Sequence, residues 1–136
     1  MQKHDLSLQL VTNSDGRLLG AVLRDNRVLN DLVRLLTADD FRRQGDRDVY
    51  RAAVELYDAG KPVDLVSLAD ELNCRGQVEG VGGYPYLAEL WEACGSGANA
   101  LYHAKLVRDA SVCRRLDAAC DAIKGDIAAN SASADE

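Results

Sequence analysis

The chain has 136 residues, a formal net charge of -6 at pH 7 and a sequence pI of about 4.9. That length suits one domain and leaves too little material for two independent cores. An acidic chain is a poor match to phosphate neutralisation, so direct gripping of nucleic acid is expected to be slight. Its hydrophobic fraction of 47% with only 5% aromatic residues puts core-building on Leu, Val and Ala, residues that favour helices over strands.

In chain order, residues 1–13 read as a flexible arm, with Leu6, Leu8 and Leu10 alternating with polar residues. Ser14 or Asp15 is placed to cap a first helix reaching Arg24, with Leu18, Leu19, Val22 and Leu23 on its apolar side. Asp25-Asn26 turns the chain, and a second helix over Val28–Leu36 follows. Thr37 to Phe41 reads as a loop or single helical turn, with Phe41, the one phenylalanine, as a core plug. Asp46 is positioned to cap a third helix that Gly60 ends, ahead of Pro62. Asp64 caps a fourth helix to Cys74, and Gly76 closes it. A fifth covers Tyr84–Ala93, with Pro85 in its first turn, where a missing N–H costs nothing. Gly95-Ser96-Gly97 then leads into a last helix from Ala98 to Ala128, about 45 Å long.

On that last helix Cys113, Leu116, Cys120, Ile123 and Ile127 recur at alternating steps of three and four. Leu106 and Tyr102 extend the stripe backward across Asp109. The first half of the stripe suits either the chain's own head or another chain. The second half lies beyond the head's reach and needs another chain. The fold expected is all-α: a head of about five short helices over residues 14–95, a long helix over 96–129 and a disordered tail over 130–136.

Chemistry is scarce. No GxxxxGK[ST] phosphate loop occurs, and no CxxC pair relates Cys74, Cys94, Cys113 and Cys120, so a metal site is not expected and the cysteines read as half-buried thiols. The carboxylate pairs Asp39-Asp40 and Asp70-Glu71 read as solvated helix edges and not as acid–base machinery. Arg47 and Arg51 share a helical face, and with Arg42, Arg43, Arg114 and Arg115 they are expected to form ion pairs within the chain or with a partner. No apolar run is long enough to span a membrane, and nothing reads as a signal peptide, so a cytoplasmic location is expected.

These pieces, in order, resemble one family. Leu19-Gly20-Ala21-Val22-Leu23 with Asp25-Asn26 is similar to the "LGALLLDN" opening of the N-terminal domain of DnaB-type bacterial replicative DNA helicases. Asp39-Asp40-Phe41 resembles its "EDF", and Glu55-Leu56-Tyr57 with Gly60 to Leu68 resembles "ELYEEGKPVDLVTL". Val81-Gly82-Gly83, Tyr86 to Leu90, Ser96, Ala98-Asn99 and Ala104 to Arg108 continue in register, so the resemblance spans residues 14–127.

The sequence departs from the pattern where a proline pair is missing before the first helix. It departs again at Gln44 and Gly95, each in place of a frequent proline, and at Asp46, in place of a frequent histidine. The resemblance implies a non-catalytic module acting in DNA replication, with self-association or helicase ring subunits and primase as partners. ATP and Mg would belong to a separate motor domain, with no cofactor here. Tyr84, Tyr86 and Glu89 are the expected primase contacts; Tyr102, Leu106, Cys113, Leu116, Cys120, Ile123 and Ile127 are the expected self-association surface. In the family the long helix is the first half of a hairpin, whose second helix would begin where these residues end. Two expectations follow: a piece of a longer helicase, or a free-standing homologue that regulates helicase or primase by binding.

Overall fold

In the computed structural model, residues 3–93 and 99–134 are described, with side chains over 14–93 and 99–132. Helix α1 covers Lys3–Arg24 and α2 Val28–Leu35; a 3-10 turn covers Ala38–Asp40. Helix α3 is Gln44–Asp58, α4 Leu65–Cys74, α5 Val78–Val81, α6 Gly83–Ala93 and α7 Ala100–Ala134. No strand occurs among the described residues, so the all-α expectation holds.

Local chemistry explains most of the boundaries. Asp64 and Ser67 cap α4 reciprocally: the Ser67 N–H donates to Asp64 Oδ1 at 2.8 Å and the Asp64 N–H to Ser67 Oγ at 2.9 Å. Helices α3 and α4 end alike, with Gly60 and Gly76 at φ of +73° and +69° and the next N–H donating to the carbonyl of Leu56 or Leu72 at 2.9 Å. Asn26 joins two parts of the head. Its Nδ2 donates to the carbonyls of Val22 and Val63 at 2.8 and 2.7 Å, and its Oδ1 accepts from the Val63 N–H at 3.0 Å.

The core lies where α1 packs on α3, α6 and α7, with α3 resting on α4 and α5. Leu18, Leu29, Leu32, Phe41, Leu68, Leu72 and Leu87 are fully buried in it. Gly45 brings α3 against α5 so closely that a Cβ there would meet Val81 Cα at 2.9 Å, a backbone contact that cannot yield.

Four boundary expectations change. α1 starts at Lys3, so the segment expected as an arm is helical; no proline or glycine interrupts residues 3–15, and Leu6 and Leu10 also fit helical spacing. Asp15 accordingly lies inside α1 and Asp46 inside α3, which begins at Gln44, so neither is a cap. α7 continues through Ala128, Ala129 and Ala132 to Ala134, so residues 130–134 of the expected tail are helical, because alanine propagates helix at no side-chain cost; residues 135–136 lie outside the described residues. The short α5 was not anticipated. The Gly95-Ser96-Gly97 connection lies outside the described residues.

Candidate interaction surfaces

Helix α7 has two opposite faces. Ala100, Ala104, Val107 and Ser111, at helical spacing, are buried against the head. Small residues there let the helix approach closely.

One buried carboxylate then fixes it. Asp40, with no exposed surface, accepts at Oδ1 from Ser111 Oγ at 2.7 Å, Arg115 Nη2 at 2.8 Å and Arg108 Nη1 at 3.2 Å. The Thr37 N–H donates to its Oδ2 at 2.8 Å, and Arg114 Nη2 donates to its backbone carbonyl at 2.9 Å. Burial opposes ionisation of Asp40, but the Thr37 N–H, the Ser111 hydroxyl and the Arg108 and Arg115 guanidiniums outweigh it and hold the carboxyl below its ordinary range. The expectation that Asp39-Asp40 is a solvated edge is thus half wrong. Asp39 is exposed on Arg51 at 3.3 Å, whereas Asp40 has no exposed surface, because the 3-10 turn points it at α7. The signal for this was present: Arg108, Ser111 and Arg115 share one face at steps of three and four.

The opposite face of α7 carries the apolar stripe. Tyr102, Leu116, Ile123 and Ile127 are 58–64% exposed, Leu106 is 40% exposed, and the free thiols of Cys113 and Cys120 are exposed. The head therefore covers neither half of the stripe; it uses the other side of the helix. Every residue from Leu116 to Ala132 is exposed, so α7 projects about 28 Å past the head. Cys74 is also exposed, which corrects the half-buried reading of the thiols; Cys94 lies outside the described residues.

The second surface lies on α6. Tyr84 is 57% exposed, and with Leu65, Val66, Ala69, Leu87 and Ala88 it lines an apolar groove of about 380 Å³ between α4 and α6. Glu89 is exposed nearby on the same helix. Tyr86 sits differently. Its hydroxyl donates to Asp46 Oδ1, and the Arg43 guanidinium covers its ring at 4.6 Å, so it pins α6 to α3. On the far side of α6, Arg24 stacks over Trp91 at 4.3 Å and donates to its carbonyl at 2.9 Å.

Beneath Tyr86 lie two buried carboxyls, Asp15 and Asp46, and the charge of Asp46 adds to the cost of ionising Asp15. Burial pushes Asp15 up to about 6, against the Arg42 N–H and with a contribution from Asp46. Burial likewise raises Asp46 despite Tyr86 and Arg43, and its Oδ2 has no hydrogen-bond partner. A folded pKa above the unfolded 3.8 means that the folded state holds the proton more tightly, so this contribution to stability is present below pH 4 and is lost as pH rises toward 6. Asp15→Asn is expected to raise Tm by several degrees at pH 7.5 and to leave it nearly unchanged at pH 4; a thermal melt at each pH checks this, and an equal shift at both would show that charge is not the cause.

Among the described residues no three His, Cys, Asp or Glu side chains converge as a metal site, and no helix is long and apolar enough to cross a membrane.

Head, projecting helix and exposed stripe together define an all-helical domain with two exposed apolar surfaces. The family model of the DnaB-like helicase N terminal domain matches residues 11–109, and the chain belongs to that family. It is 40% identical over 98 residues to the replicative DNA helicase DnaB of Geobacillus stearothermophilus, covering 72% of this chain and 22% of that one. It is 38% identical over 98 residues to DnaB of Mycobacterium leprae (strain TN), covering 72% and 16%. The chain thus spans about a fifth of the length of the curated relatives it matches. The crystal structure of the N-terminal domain of DnaB helicase from Mycobacterium tuberculosis superposes with a TM-score of 0.81 at 33% identity, over 84% of this chain and 83% of that one. The N-terminal domain of DnaB helicase from Helicobacter pylori shares the fold, with a TM-score of 0.80 at 18% identity over 93% and 98%.

Proposed function

We propose that this domain is the non-catalytic collar module of a replicative DNA helicase, supporting assembly of the ring's subunits through α7 and docking primase on its head. In that role ATP and Mg act in a separate motor domain. The observation that carries the reading is the apolar stripe of α7, turned away from the domain's own head and left without cover over its whole length. A stripe of that length in water favours association by burying it. The Helicobacter pylori neighbour is described together with its interactions with primase, and it supports the second half of the reading through the shared fold. On this head Tyr84 and Glu89 are the surface residues offered for that contact, while Tyr86 positions the helix that carries them.

The test has two arms. Light scattering across concentration should show self-association that Leu116→Asp weakens at least tenfold without lowering Tm, since Leu116 is 60% exposed. Titration with the helicase-binding domain of primase should show binding that Tyr84→Ala and Glu89→Lys weaken. A chain that stays monomeric at all concentrations and binds no primase overturns the proposal.

A further inference from the structure

We propose that the arginine-rich surface where the 3-10 turn, the start of α3 and the middle of α7 meet binds an acidic segment of a partner protein. This surface is separate from the apolar stripe and from the groove between α4 and α6, so it rests on neither half of the proposed function.

Acids and bases sort by depth here. Among the described residues the buried charged side chains are Asp15, Asp40, Asp46 and Asp48, and no base is among them. All four belong to one region. Asp40 ends the 3-10 turn, Asp46 and Asp48 lie near the start of α3, and Asp15 accepts from the Arg42 N–H at 3.4 Å. Over them stand Arg42, Arg43 and Arg47 from the head and Arg108, Arg114 and Arg115 from α7, six of the chain's 16 Lys and Arg residues. Arg42, Arg43, Arg108 and Arg115 are exposed, and Arg47 and Arg114 are half-buried. The exposed acid of the turn, Asp39, is held by Arg51 at 3.3 Å. Solvent therefore meets guanidiniums, although the chain as a whole is acidic.

Internal pairing explains only part of this cluster. Arg108 and Arg115 neutralise Asp40, and Arg43 covers the ring of Tyr86, whose hydroxyl is on Asp46. Arg47 and Arg114 instead donate to backbone carbonyls, those of Phe41 at 2.8 Å and Asp40 at 2.9 Å. A carbonyl holds a guanidinium in place without cancelling its charge, and most of its five N–H donors stay available. The Arg42 guanidinium makes no hydrogen bond or ion pair among the described residues. Three cations without a carboxylate thus gather on three consecutive residues, Asp40, Phe41 and Arg42. Two of them are already oriented, which lowers the ordering cost of binding an anion.

The surroundings favour an acidic peptide over nucleic acid. Strand binding relies on bases stacking on exposed rings. Here Phe41 and Tyr50 are buried and Arg43 covers Tyr86, while the exposed rings of Tyr84 and Tyr102 lie on the other two surfaces. Beyond the patch α7 carries Asp117, Asp121 and Asp126 against Lys124 alone, so a long polyanion meets repulsion there. A short run of Asp or Glu fits within the patch and can pair with the guanidiniums bidentately.

Titration of the full chain with an octaglutamate peptide at low ionic strength, followed by amide NMR shifts, tests this. Perturbed amides should cluster at residues 40–47 and 108–115. Arg42→Glu should weaken binding about tenfold and Arg114→Gln about threefold, as removal of solvent-facing ion pairs implies. Arg42→Gln adds no charge beside Asp15 and should also cost about threefold, so a loss of stability in the reversal leaves the test intact. Lys61→Glu makes the same change of charge past the other end of α3, about 20 Å away, and should leave affinity within about twofold. An oligothymidylate of equal charge should bind more weakly than the peptide. The proposal is overturned by the absence of saturable shifts, by equal losses in Arg42→Glu and Lys61→Glu, or by tighter binding of the oligothymidylate. Tyr84→Ala and Leu116→Asp leave this surface intact and should not change peptide affinity, so this inference and the proposed function fail separately.

Discussion

Replacing Asp40 by alanine is expected to cost about 3 kcal/mol of unfolding free energy, because breaking one side of a buried ion pair leaves the other without its compensation. Asp40 has no exposed surface, and five donors converge on its carboxylate: the Thr37 N–H and hydroxyl, Ser111, Arg108 and Arg115. The two arginines are half-exposed and recover hydration, which limits the loss; Ser111 is buried and does not. For a chain of this size the change corresponds to a fall in Tm of about 10 °C. The damage should concentrate on the join between head and long helix. Amide exchange along residues 100–115 is expected to rise, while α3 and α4 keep their protection. Asp40→Asn keeps the shape and one acceptor and should cost less. Because the folded pKa lies below the unfolded 3.8, this stabilisation is complete above pH 4 and is lost as pH falls through the folded value. A D40A variant melting within a degree of the wild type at pH 7 would refute the latch.

Phe41→Ala is expected to be larger still, about 4 kcal/mol, the combined loss of an aromatic side chain from a close-packed core and the cavity left behind. Phe41 is fully buried and its ring centroid is 5.0 Å from that of Tyr50, whose hydroxyl donates to the Leu36 carbonyl at 3.0 Å. The cavity would open under α3 and the 3-10 turn, so it undermines the position of Asp40 as well. Urea denaturation should show a lower midpoint with little change in slope, and the two substitutions should be non-additive because they share that turn. A Phe41→Ala chain within 1 kcal/mol of the wild type would mean that the core collapses to fill the site.

Asp39-Asp40-Phe41 shows how residue-level reading and packing divide the explanation. Phe41 as a core plug was legible from its being the one phenylalanine in a chain poor in aromatics. Asp40 was not: two adjacent aspartates look the same in sequence, and only the 3-10 turn sends one to solvent and the other under α7. Asp46 was open to the same error. A carboxylate near a helix start reads as a cap, but starting α3 at Gln44 rotated it inward to meet Tyr86. The Tyr86 hydroxyl is thereby taken up by Asp46, while Tyr84 on the same helix stayed outside.

What the amino-acid sequence determined alone was whatever depends on near neighbours along the chain. Helix periodicity, the Asp64–Ser67 cap, the glycine stops at Gly60 and Gly76 and the stripe on α7 all have ranges of a few residues. Ordered motifs carried the family in the same way. Tertiary structure alone decided which face of α7 the head takes. Both faces have helical spacing, and the choice turns on closeness: Ala100, Ala104, Val107 and Ser111 admit the head's backbone and Asp40, whereas the bulkier Tyr102, Leu106 and Leu116 do not. That choice, settled by contacts between residues about 70 apart in the chain, leaves the apolar stripe outside.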